Sequence, residues 1–532
     1  MKRIVWLLMF LSLSTANLNA CTSIIVTKGA TQNKSVMITY SCDGEFLYHF
    51  SIIPAQDHEP GAYYEIKNRE SDIISKIPQP SHTYKVVGLM NEHQLSIGET
   101  TTVGRKELRN PDGALHYWTL MQLALQRART AREAIEVMTS LVEEYGYASS
   151  AEAFSIADPE EAWIMEMAGT GPGGKGAVWV ARKVPDGYVS CHANLSRIGE
   201  FPLNDKKNCL YSDNVISFAQ EKGYYDPESG DPFRFNMAYC PPNPTNLRTC
   251  AGRVWSILRR TAPSKNFSPD YYRGVKGAKS YPLWVKPDKK LSVKDVMNLM
   301  RDHYEDTDFD MTKGIAAGPF KLPYRWRGLT WQVDSVEYCW ERPISTQQTS
   351  FSFVSQSRAH LPDQIGGVFW FGFDDTFFTC YTPLYCCIDI VPESFTSGSL
   401  QQFSFDSAWW VFNFVSNIAY SKYSYMIEDV QAVQSEMENY ALNIQPHIEQ
   451  TCLALSKSDN EDLVRKFLTD YSYTRAEEVV NRWKILGKNL VTKYNDGYVK
   501  DENGRPQSKG YPELWLKQVI ENNPEKYKLP VW

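Results

Sequence analysis

Runs of apolar and β-branched residues predict a β-hairpin soon after the start of the chain. Residues 22–27 are apolar and β-branched, residues 28–34 are turn-like, and residues 35–40 are again extended. Residues 84–90 and 93–98 predict a second strand pair, joined through Asn91 and Glu92. Further strands are predicted at 153–157, 162–167, 177–182 and 187–192.

Helical periodicity follows the second strand pair and dominates the end of the chain. One helix is predicted at 114–128 and another at 130–145, where Thr130 and Glu133 form a capping box. Later helices are predicted at 292–303, 426–455, 460–471 and 474–486. Strands, then helices, then strands again predict an α+β fold with two sheets between helices.

The first twenty residues are typical of a secretory signal peptide. Lys2 and Arg3 precede an apolar run, and Ala20 ends the polar stretch after it. Cleavage behind Ala20 makes Cys21 the first residue of an exported protein, in the periplasm or outside the cell. An N-terminal cysteine has both a nucleophilic thiol and a free α-amine that can serve as its base.

The same leader also fits a bacterial lipoprotein box, in which Cys21 is lipidated, its amine is acylated and the protein is anchored to a membrane. Both groups needed for catalysis would then be blocked. Asn19 is a poor fit to such a box, and a strand starts at once without a Ser/Gly tether. On the leader alone the two interpretations are about even.

The composition argues against nucleic-acid binding and against a membrane-spanning protein. The chain has 532 residues, 43% of them hydrophobic, which is enough for one large domain or two ordinary ones. A net charge of −6 without a Lys/Arg block offers no footprint for nucleic acid. Beyond the leader, no apolar stretch approaches the ~20 residues of a membrane span.

The chain has eleven cysteines, so ten could pair and leave Cys21 free. Cys240 and Cys250 flank a Pro/Asn-rich loop that a disulfide could close. Buried reduced thiols are an equally good interpretation.

Other local patterns resemble binding motifs but lack the neighbouring residues or secondary structure that those motifs require. The glycine-rich loop 169–175 lacks the Ser or Thr of a P-loop after Lys175 and precedes a strand, so a hairpin loop is predicted. The nine histidines show no zinc spacing, so no metal site is expected. No G-x-S-x-G elbow occurs, which weakens a serine hydrolase. No organic cofactor is expected either. Asp374-Asp375 is compatible with a carboxylate pair but is interpreted as a solvated turn. Residues 409–412 are compatible with a ligand cleft but are interpreted as a buried helix face.

Several short segments match one family when they are taken in order. They are Gly88-Leu89-Met90-Asn91-Glu92, Gly98-Glu99-Thr100-Thr101, Ala162-Trp163-Ile164-Met165-Glu166, Trp179-Val180-Ala181-Arg182, Arg253-Val254-Trp255 and Ile365-Gly366-Gly367-Val368-Phe369-Trp370. Together they resemble dipeptidases of the secernin and dipeptidase A type. These are cysteine N-terminal-nucleophile (Ntn) hydrolases related to penicillin V acylase and bile salt hydrolase. The resemblance runs from Cys21 to about Tyr425.

The resemblance implies a four-layer αββα Ntn-hydrolase sandwich over residues 21–404, with a mostly helical C-terminal region, 405–532, packed on it. It implies that Cys21 attacks the peptide carbonyl while its own α-amine takes the thiol proton. Asn91, through its backbone N–H, and Asn194, through its side-chain amide, correspond to the oxyanion hole. Asp43 corresponds to an acid that orients the amine or contacts the substrate's N-terminus, and Arg253 to a charged residue lining the site.

One position departs from the family pattern. The segment before the aspartate usually reads Ala-Arg-Asn-x-Asp, whereas this chain has Thr39-Tyr40-Ser41-Cys42-Asp43. Tyr40 therefore stands in place of an arginine. A phenol donates a hydrogen bond but supplies no permanent positive charge to lower the pKa of the thiol.

The sequence thus predicts an exported cysteine dipeptidase that hydrolyses short peptides without a cofactor. A homo-oligomer is compatible with the sequence. One alternative is an amidase for N-acyl bonds of the bile-salt or penicillin type. Another is a lipid-anchored binding protein that has kept the fold without the chemistry, which Tyr40 and the leader would suit.

Overall fold

The structure is a computed structural model, and residues 20–67, 71–457 and 462–531 are described. The predicted α+β class is confirmed. The strands are β1 Ala20–Val26, β2 Val36–Asp43, β3 Ile52–Ile53, β4 Gln56–Asp57, β5 Tyr63–Lys67, β6 Ile73–Pro78, β7 His82–Thr83, β8 Val86–Val87, β9 Met90–Asn91, β10 Ser96–Thr101, β11 Ala151–Ala157, β12 Ala162–Gly169, β13 Ala177–Lys183, β14 Val189–His192, β15 Cys209–Tyr211, β16 Trp284–Val285, β17 Thr330–Val333, β18 Val336–Cys339, β19 Thr349–Ser357, β20 Val368–Phe373, β21 Thr382–Tyr385, β22 Val499–Lys500 and β23 Pro506–Gln507.

The helices lie between β10 and β11, among the strands from β15 to β20, and at the end of the chain. They are α1 Tyr117–Arg127, α2 Ala131–Tyr145, α3 Ser217–Glu221, α4 Phe235–Tyr239, α5 Pro244–Asn246, α6 Gly252–Thr261, α7 Val293–Leu299, α8 Asp363–Gly366, α9 Ala408–Tyr420, α10 Tyr423–Leu455, α11 Asp462–Tyr494, α12 Glu513–Asn522 and α13 Pro524–Tyr527.

Two antiparallel sheets form the centre of the molecule. One has the strand order β16-β14-β1-β2-β19-β20-β21, and the other the order β15-β13-β12-β11-β10-β9-β8-β3. Strands β1 and β2 of the first sheet contact β10 and β11 of the second. Helices α1 and α2 pack on the second sheet, and α9 and α11 pack on the first. Because the inner strands are covered in this way, all eight residues of β2 are buried.

The predicted N-terminal hairpin is confirmed as β1 and β2, which pair antiparallel in the middle of the first sheet. Cys21 lies directly opposite Cys42 in this pair. The start of β1 and the end of β2 therefore meet at one end of the sheet. Strand β14, the other neighbour of β1, also ends there, because its His192 lies opposite Ser23.

Gly98 allows the two sheets to approach closely beside this hairpin. A Cβ atom at position 98 would lie 3.0 Å from Cβ of Tyr40 and 3.3 Å from the carbonyl oxygen of Thr39. Any larger residue would therefore push β10 away from β2. The short separation brings Glu99, the next residue of β10, to the start of β1.

The helix predicted at 130–145 is confirmed as α2, but its capping box is only half formed. The Thr130 hydroxyl accepts a hydrogen bond from the backbone N–H of Glu133 at 3.2 Å. The Glu133 carboxylate accepts from the N–H of Arg129 rather than from that of Thr130. Both bonds still satisfy amide groups near the helix start.

The two helices predicted at 460–471 and 474–486 form one continuous helix, α11, within the described residues from Asp462 onward. The prediction placed a break near Ser472. That serine is buried, and its hydroxyl accepts a hydrogen bond from the backbone N–H of Tyr385 in β21. Packing on the sheet thus outweighs the local signal for a helix end.

The structure also tests the predictions made for three short segments. The glycine-rich segment is a hairpin loop between β12 and β13, in which Gly169 lies opposite Ala177. Trp409, Val411 and Phe412 are buried on α9, as predicted. The solvated turn predicted at Asp374-Asp375 is wrong, because both side chains are buried. Asp374 accepts from Asn413 and Ser416, and Asp375 from Ser345 and Tyr420.

All eleven cysteines are free thiols, and no disulfide joins Cys240 to Cys250. Within the described ranges, no helix is both long enough and apolar enough to cross a bilayer.

Candidate active site

Cys21, Asp43, Asn194 and Arg253 converge at one end of the first sheet. Cys21 is the second residue of β1, Asp43 is the last residue of β2, and Asn194 lies two residues after the end of β14. Arg253 reaches the same point from the first turn of α6. All four residues are buried, so the sheet ends form an enclosed polar site.

Arg253 makes five hydrogen bonds, two of them to the nucleophile strand β1. Its Nη1 donates to the carbonyl oxygen of Cys21 at 2.5 Å and to the hydroxyl of Thr22 at 2.9 Å. Its Nη2 donates to the carbonyl oxygen of Ala193 and to Oδ1 of Asn194, and its Nε to the carbonyl oxygen of Thr249. Burial, together with the nearby Arg342, lowers the pKa of Arg253 to about 10. The guanidinium is therefore still charged at neutral pH.

A turn of π-helix over Leu247–Ala251 leads into α6 and presents the Thr249 carbonyl to Arg253. Such turns often occur at functional sites, because they re-aim neighbouring groups.

Asn194 accepts hydrogen bonds from the backbone nitrogen of Cys21 at 2.7 Å and from Arg253. Its Nδ2 donates to the carbonyl oxygen of Thr101. Two donors on Oδ1 and one acceptor on Nδ2 fix the orientation of the amide. Its φ of 57° is a left-handed conformation that asparagine tolerates well. The side-chain N–H bonded to Thr101 is the group that had been predicted to serve the oxyanion hole.

Asp43 forms a buried ion pair with Arg342, which sequence analysis did not identify. Nη2 of Arg342 donates to Oδ2 of Asp43 at 2.5 Å, and the hydroxyl of Thr349 donates to Oδ1 at 2.7 Å. Burial raises the pKa of Asp43, and Arg342 acts in the opposite direction. Both oxygens of this carboxylate therefore already have donors.

Asn91 is not joined to this cluster by any of its described hydrogen bonds. Its backbone N–H, predicted to serve the oxyanion hole, donates to the carbonyl oxygen of Leu95 at 2.8 Å. Its Nδ2 donates to the carbonyl oxygens of Leu125 and Ala128, and its Oδ1 accepts from the N–H groups of His93 and Leu95. Asn91 therefore orders the turn between β9 and β10 and ties it to the end of α1.

The thiol of Cys21 faces an acidic group that sequence analysis also missed. Its Sγ lies 3.7 Å from Oε1 of Glu99 and 3.9 Å from the hydroxyl of Tyr40. Tyr40 donates to the same Glu99 oxygen at 2.5 Å. Tyr40 therefore bonds a carboxyl group beside the nucleophile.

Glu152 lies beside Glu99 on the neighbouring strand. In the pairing of β10 with β11, Thr101 lies opposite Glu152 and Glu99 lies opposite Phe154. Glu99 and Glu152 are thus diagonal neighbours on one face of the sheet. Burial raises the pKa of Glu99 to about 7, and burial together with Glu99 raises the pKa of Glu152.

Burial also raises the pKa of the Cys21 thiol well above its ordinary value, and the neighbouring Cys42 and Glu99 raise it further. The resting thiol is therefore neutral. It needs a base at the moment of attack, because the thiolate is the reactive species.

The chain matches the family described as Peptidase family C69 over residues 20–436. It belongs to that family. The matched segment begins at the residue before Cys21 and includes every residue of the site, Arg253 and Arg342 among them. The resemblance to cysteine dipeptidases of the dipeptidase A type is thereby confirmed, and this C69 chain is a peptidase.

Individual relatives of this C69 chain carry dipeptidase names. A protein named Probable dipeptidase from Salmonella dublin is 26% identical over 388 residues, which is 69% of this chain and 81% of the relative. Probable dipeptidase A of Streptococcus pyogenes serotype M3 (strain SSI-1) is 24% identical, covering 89% and 98%. Dipeptidase A of Lactobacillus helveticus is 22% identical, also covering 89% and 98%.

No group of three or more His, Cys, Asp or Glu side chains within the described part of this C69 peptidase is arranged to hold a metal ion.

Proposed function

We propose that this C69 peptidase is an exported cysteine dipeptidase whose nucleophile is the N-terminal residue of the mature chain. In this proposal residues 1–20 are a signal peptide, and its removal frees the α-amine of Cys21. Residues 21–404 form a four-layer αββα catalytic domain of the Ntn-hydrolase type. Residues 405–532 form a helical region packed on that domain.

One contact carries the proposal. The backbone nitrogen of Cys21 donates to Oδ1 of Asn194, whose amide is fixed by Arg253 and by the carbonyl oxygen of Thr101. After cleavage behind Ala20 the same nitrogen becomes a free amine at the same acceptor. A held amine, two bonds from Cβ of its own cysteine, is well placed to take the thiol proton.

The proposed reaction starts from the neutral amine and the neutral thiol. The amine takes the Sγ proton, and Sγ attacks the carbonyl carbon of the dipeptide. The same proton then passes to the leaving nitrogen as the C–N bond breaks, which leaves a thioester. Water attacks the thioester and gives a proton to the amine, which returns it to Sγ as the C–S bond breaks.

Asn194 and Arg253 act here as positioning residues. Asn194 accepts from the amine in the orientation that directs the nitrogen lone pair towards Sγ, and Arg253 fixes both the Cys21 carbonyl and the Asn194 amide. This assignment replaces the oxyanion role first predicted for Asn194. Neither role draws on a metal or an organic cofactor.

Kinetics of the purified mature protein and of Cys21 variants test the proposal. The wild type should release free amino acids from a panel of dipeptides. Cys21→Ala should release none, whereas Cys21→Ser should keep a small residual rate, because it retains the amine and a weaker nucleophile. Hydrolysis by a clean Cys21→Ala preparation would overturn the assignment. Wild-type hydrolysis of N-acyl amides but not of dipeptides would favour the amidase alternative.

A further inference from the structure

Three carboxyl oxygens beside the nucleophile have no hydrogen-bond partner at bonding distance among the described residues. They are both oxygens of Glu152 and Oε2 of Glu99. Both residues are almost completely buried, with exposures of 1% and 0%. Buried polar groups are normally hydrogen-bonded, and a buried carboxylate without a donor is costly. The unsatisfied oxygens therefore indicate a site for a ligand that supplies donors.

The surrounding side chains do not neutralise the two carboxyl groups. The Tyr40 hydroxyl donates to Oε1 of Glu99, and the rings of Tyr117 and Tyr147 lie close enough for both carboxyl groups to raise their pKa. The hydroxyl of Tyr147 is also buried without a hydrogen-bond partner among the described residues. Phenols carry no positive charge at neutral pH.

The other carboxylate at the site is already occupied. Asp43 accepts from Arg342 and from Thr349, one on each oxygen. The acidic side of the site with free acceptors is therefore the Glu99–Glu152 pair, and the ligand that suits it is a cation with several N–H donors.

We propose that Glu99 and Glu152 bind the α-ammonium group of the dipeptide and so restrict hydrolysis to substrates with a free N-terminus. This inference rests on the proposed function, because it places the scissile carbonyl at Cys21. An ammonium group offers three N–H donors to the three unsatisfied oxygens.

The reach of a dipeptide fits this placement. In an amino-acid residue the nitrogen and the carbonyl carbon are separated by two bonds of about 1.5 Å at an angle of about 111°, so they lie roughly 2.5 Å apart. A carbonyl carbon at attack distance, about 3–3.5 Å from Sγ, can therefore place its ammonium group beside the Glu99 carboxyl, whose Oε1 is 3.7 Å from Sγ.

The bound cation would also favour the reaction itself. Glu99 disfavours the Cys21 thiolate electrostatically, and Tyr40 supplies no compensating charge. A substrate ammonium at Glu99 and Glu152 cancels that negative charge as the thiolate forms. The substrate thus contributes a positive charge beside the nucleophile, where the family pattern has an arginine.

The test compares a dipeptide with its des-amino analogue, in which hydrogen replaces the α-ammonium group. The analogue is smaller than the dipeptide, so steric exclusion cannot explain poor turnover. We expect wild-type kcat/KM for the dipeptide to exceed that for the analogue by on the order of 100-fold or more. Comparable values would overturn the proposal, whatever the behaviour of the variants. Hydrolysis of neither compound would instead contradict the proposed dipeptidase function.

Glu152→Gln tests the assignment of residues, since it removes the charge and keeps the shape. The preference for the dipeptide should fall to within about 10-fold, mainly through loss of activity on the dipeptide. A wild-type preference in folded Glu152→Gln would contradict the assignment. If that variant does not fold, Glu99→Gln and the wild-type comparison decide the question.

Asp374→Asn is the matched control. Asp374 belongs to the other buried carboxyl pair, its oxygens already accept from Asn413 and Ser416, and asparagine tolerates its φ of 64°. This variant should keep the wild-type preference. A control that lost the preference to the same extent would show that the effect of Glu152→Gln is not local, and would overturn the assignment.

Discussion

Tyr40 donates its phenolic hydrogen to Oε1 of Glu99 at 2.5 Å, next to the sulfur of Cys21. The contact shows what the tyrosine does at the position where the family resemblance leads one to expect an arginine. An arginine there would pair with Glu99 as a full ion pair. The tyrosine gives that carboxyl one hydrogen bond and leaves its other oxygen available to a substrate cation.

The buried carboxyl of Glu99 should make stability fall as the pH rises. Its pKa is raised from 4.5 to about 7, so the folded state holds a proton that the unfolded chain releases earlier. The contribution is fully present below pH 4.5 and is lost as the pH rises through 7. From pH 4 to pH 9, the free energy of unfolding of Glu99→Gln should therefore gain about 3 kcal/mol relative to wild type.

Urea denaturation at a series of pH values measures this difference. Glu143→Gln, at an exposed position on α2, controls for the loss of one carboxyl group. A difference between Glu99→Gln and wild type that stays constant, or that shrinks with rising pH, would show that Glu99 is not held protonated by burial.

Removal of one partner of the Asp43–Arg342 pair should lower the free energy of unfolding more than removal of both partners. Arg342→Met leaves the buried Asp43 carboxylate without its cation, and the free energy of unfolding should fall by about 3–5 kcal/mol. The double variant with Asp43→Asn should recover a clear part of that loss. Urea unfolding of the two variants decides the matter.

A surface ion pair provides the comparison. Lys28 pairs with Glu160 in a partly exposed position, so Lys28→Met should change the free energy of unfolding by less than about 1 kcal/mol. If Arg342→Met were equally mild, or if the double variant were no more stable than the single one, the buried pair would not have the assigned role.

Arg253→Lys should lower kcat/KM for a dipeptide by on the order of 100-fold, because three ammonium donors cannot replace the five hydrogen bonds of the guanidinium. The amine of Cys21 and the Asn194 amide then lose their support. Arg260→Lys on the same helix is the control, since Arg260 makes one contact with Asp302 and is partly exposed. Its kcat/KM should stay within about threefold of wild type. Equal losses in both variants would indicate damage to α6 rather than to the site.

The local sequence was sufficient to predict the elements that are stabilised by residues close together in the chain. The β1–β2 hairpin and α2 follow from short apolar patterns with their own turn and cap residues. Cys21 was found from the leader, Asn194 and Arg253 were found through the family resemblance, and the structure brings the three together. That resemblance did not provide their contacts, since the orientation of the Asn194 amide depends on Thr101, a residue of the other sheet.

Arg342 and Glu152 could not be found in this way. Arg342 is 299 residues from Asp43 and lies in no periodic segment, so only the folded chain shows that they pair. Glu152 reaches Glu99 through the register of β10 and β11, and a shift of one residue would turn it to the opposite face. Asn91 lies in a segment that carries the family resemblance, and its described hydrogen bonds order a turn, so its oxyanion role stays a prediction.

The pH dependence of kcat/KM should follow the α-amine of Cys21. Activity should rise with pH as the amine loses its proton, because the neutral amine is the base. Asn194→Asp places a negative charge at the acceptor of that amine, which stabilises the ammonium form. The rising limb should therefore move to higher pH by about one unit.

Asn33→Asp is the control for this shift, since Asn33 is exposed in the turn between β1 and β2, at the opposite end of the hairpin. The rising limb of its kcat/KM–pH profile should coincide with that of wild type. A limb that moved to lower pH in Asn194→Asp, or that did not move, would mean that the group titrating is not the amine at Asn194.

The mass of the mature N-terminus tests the central claim most directly. Intact mass and N-terminal sequencing of the active protein, purified after export, should show a chain that begins at Cys21 with an unmodified amine and thiol. A chain that begins at another residue, or a Cys21 that carries lipid or an acylated amine, would contradict the account, because the proposed base and nucleophile would not exist.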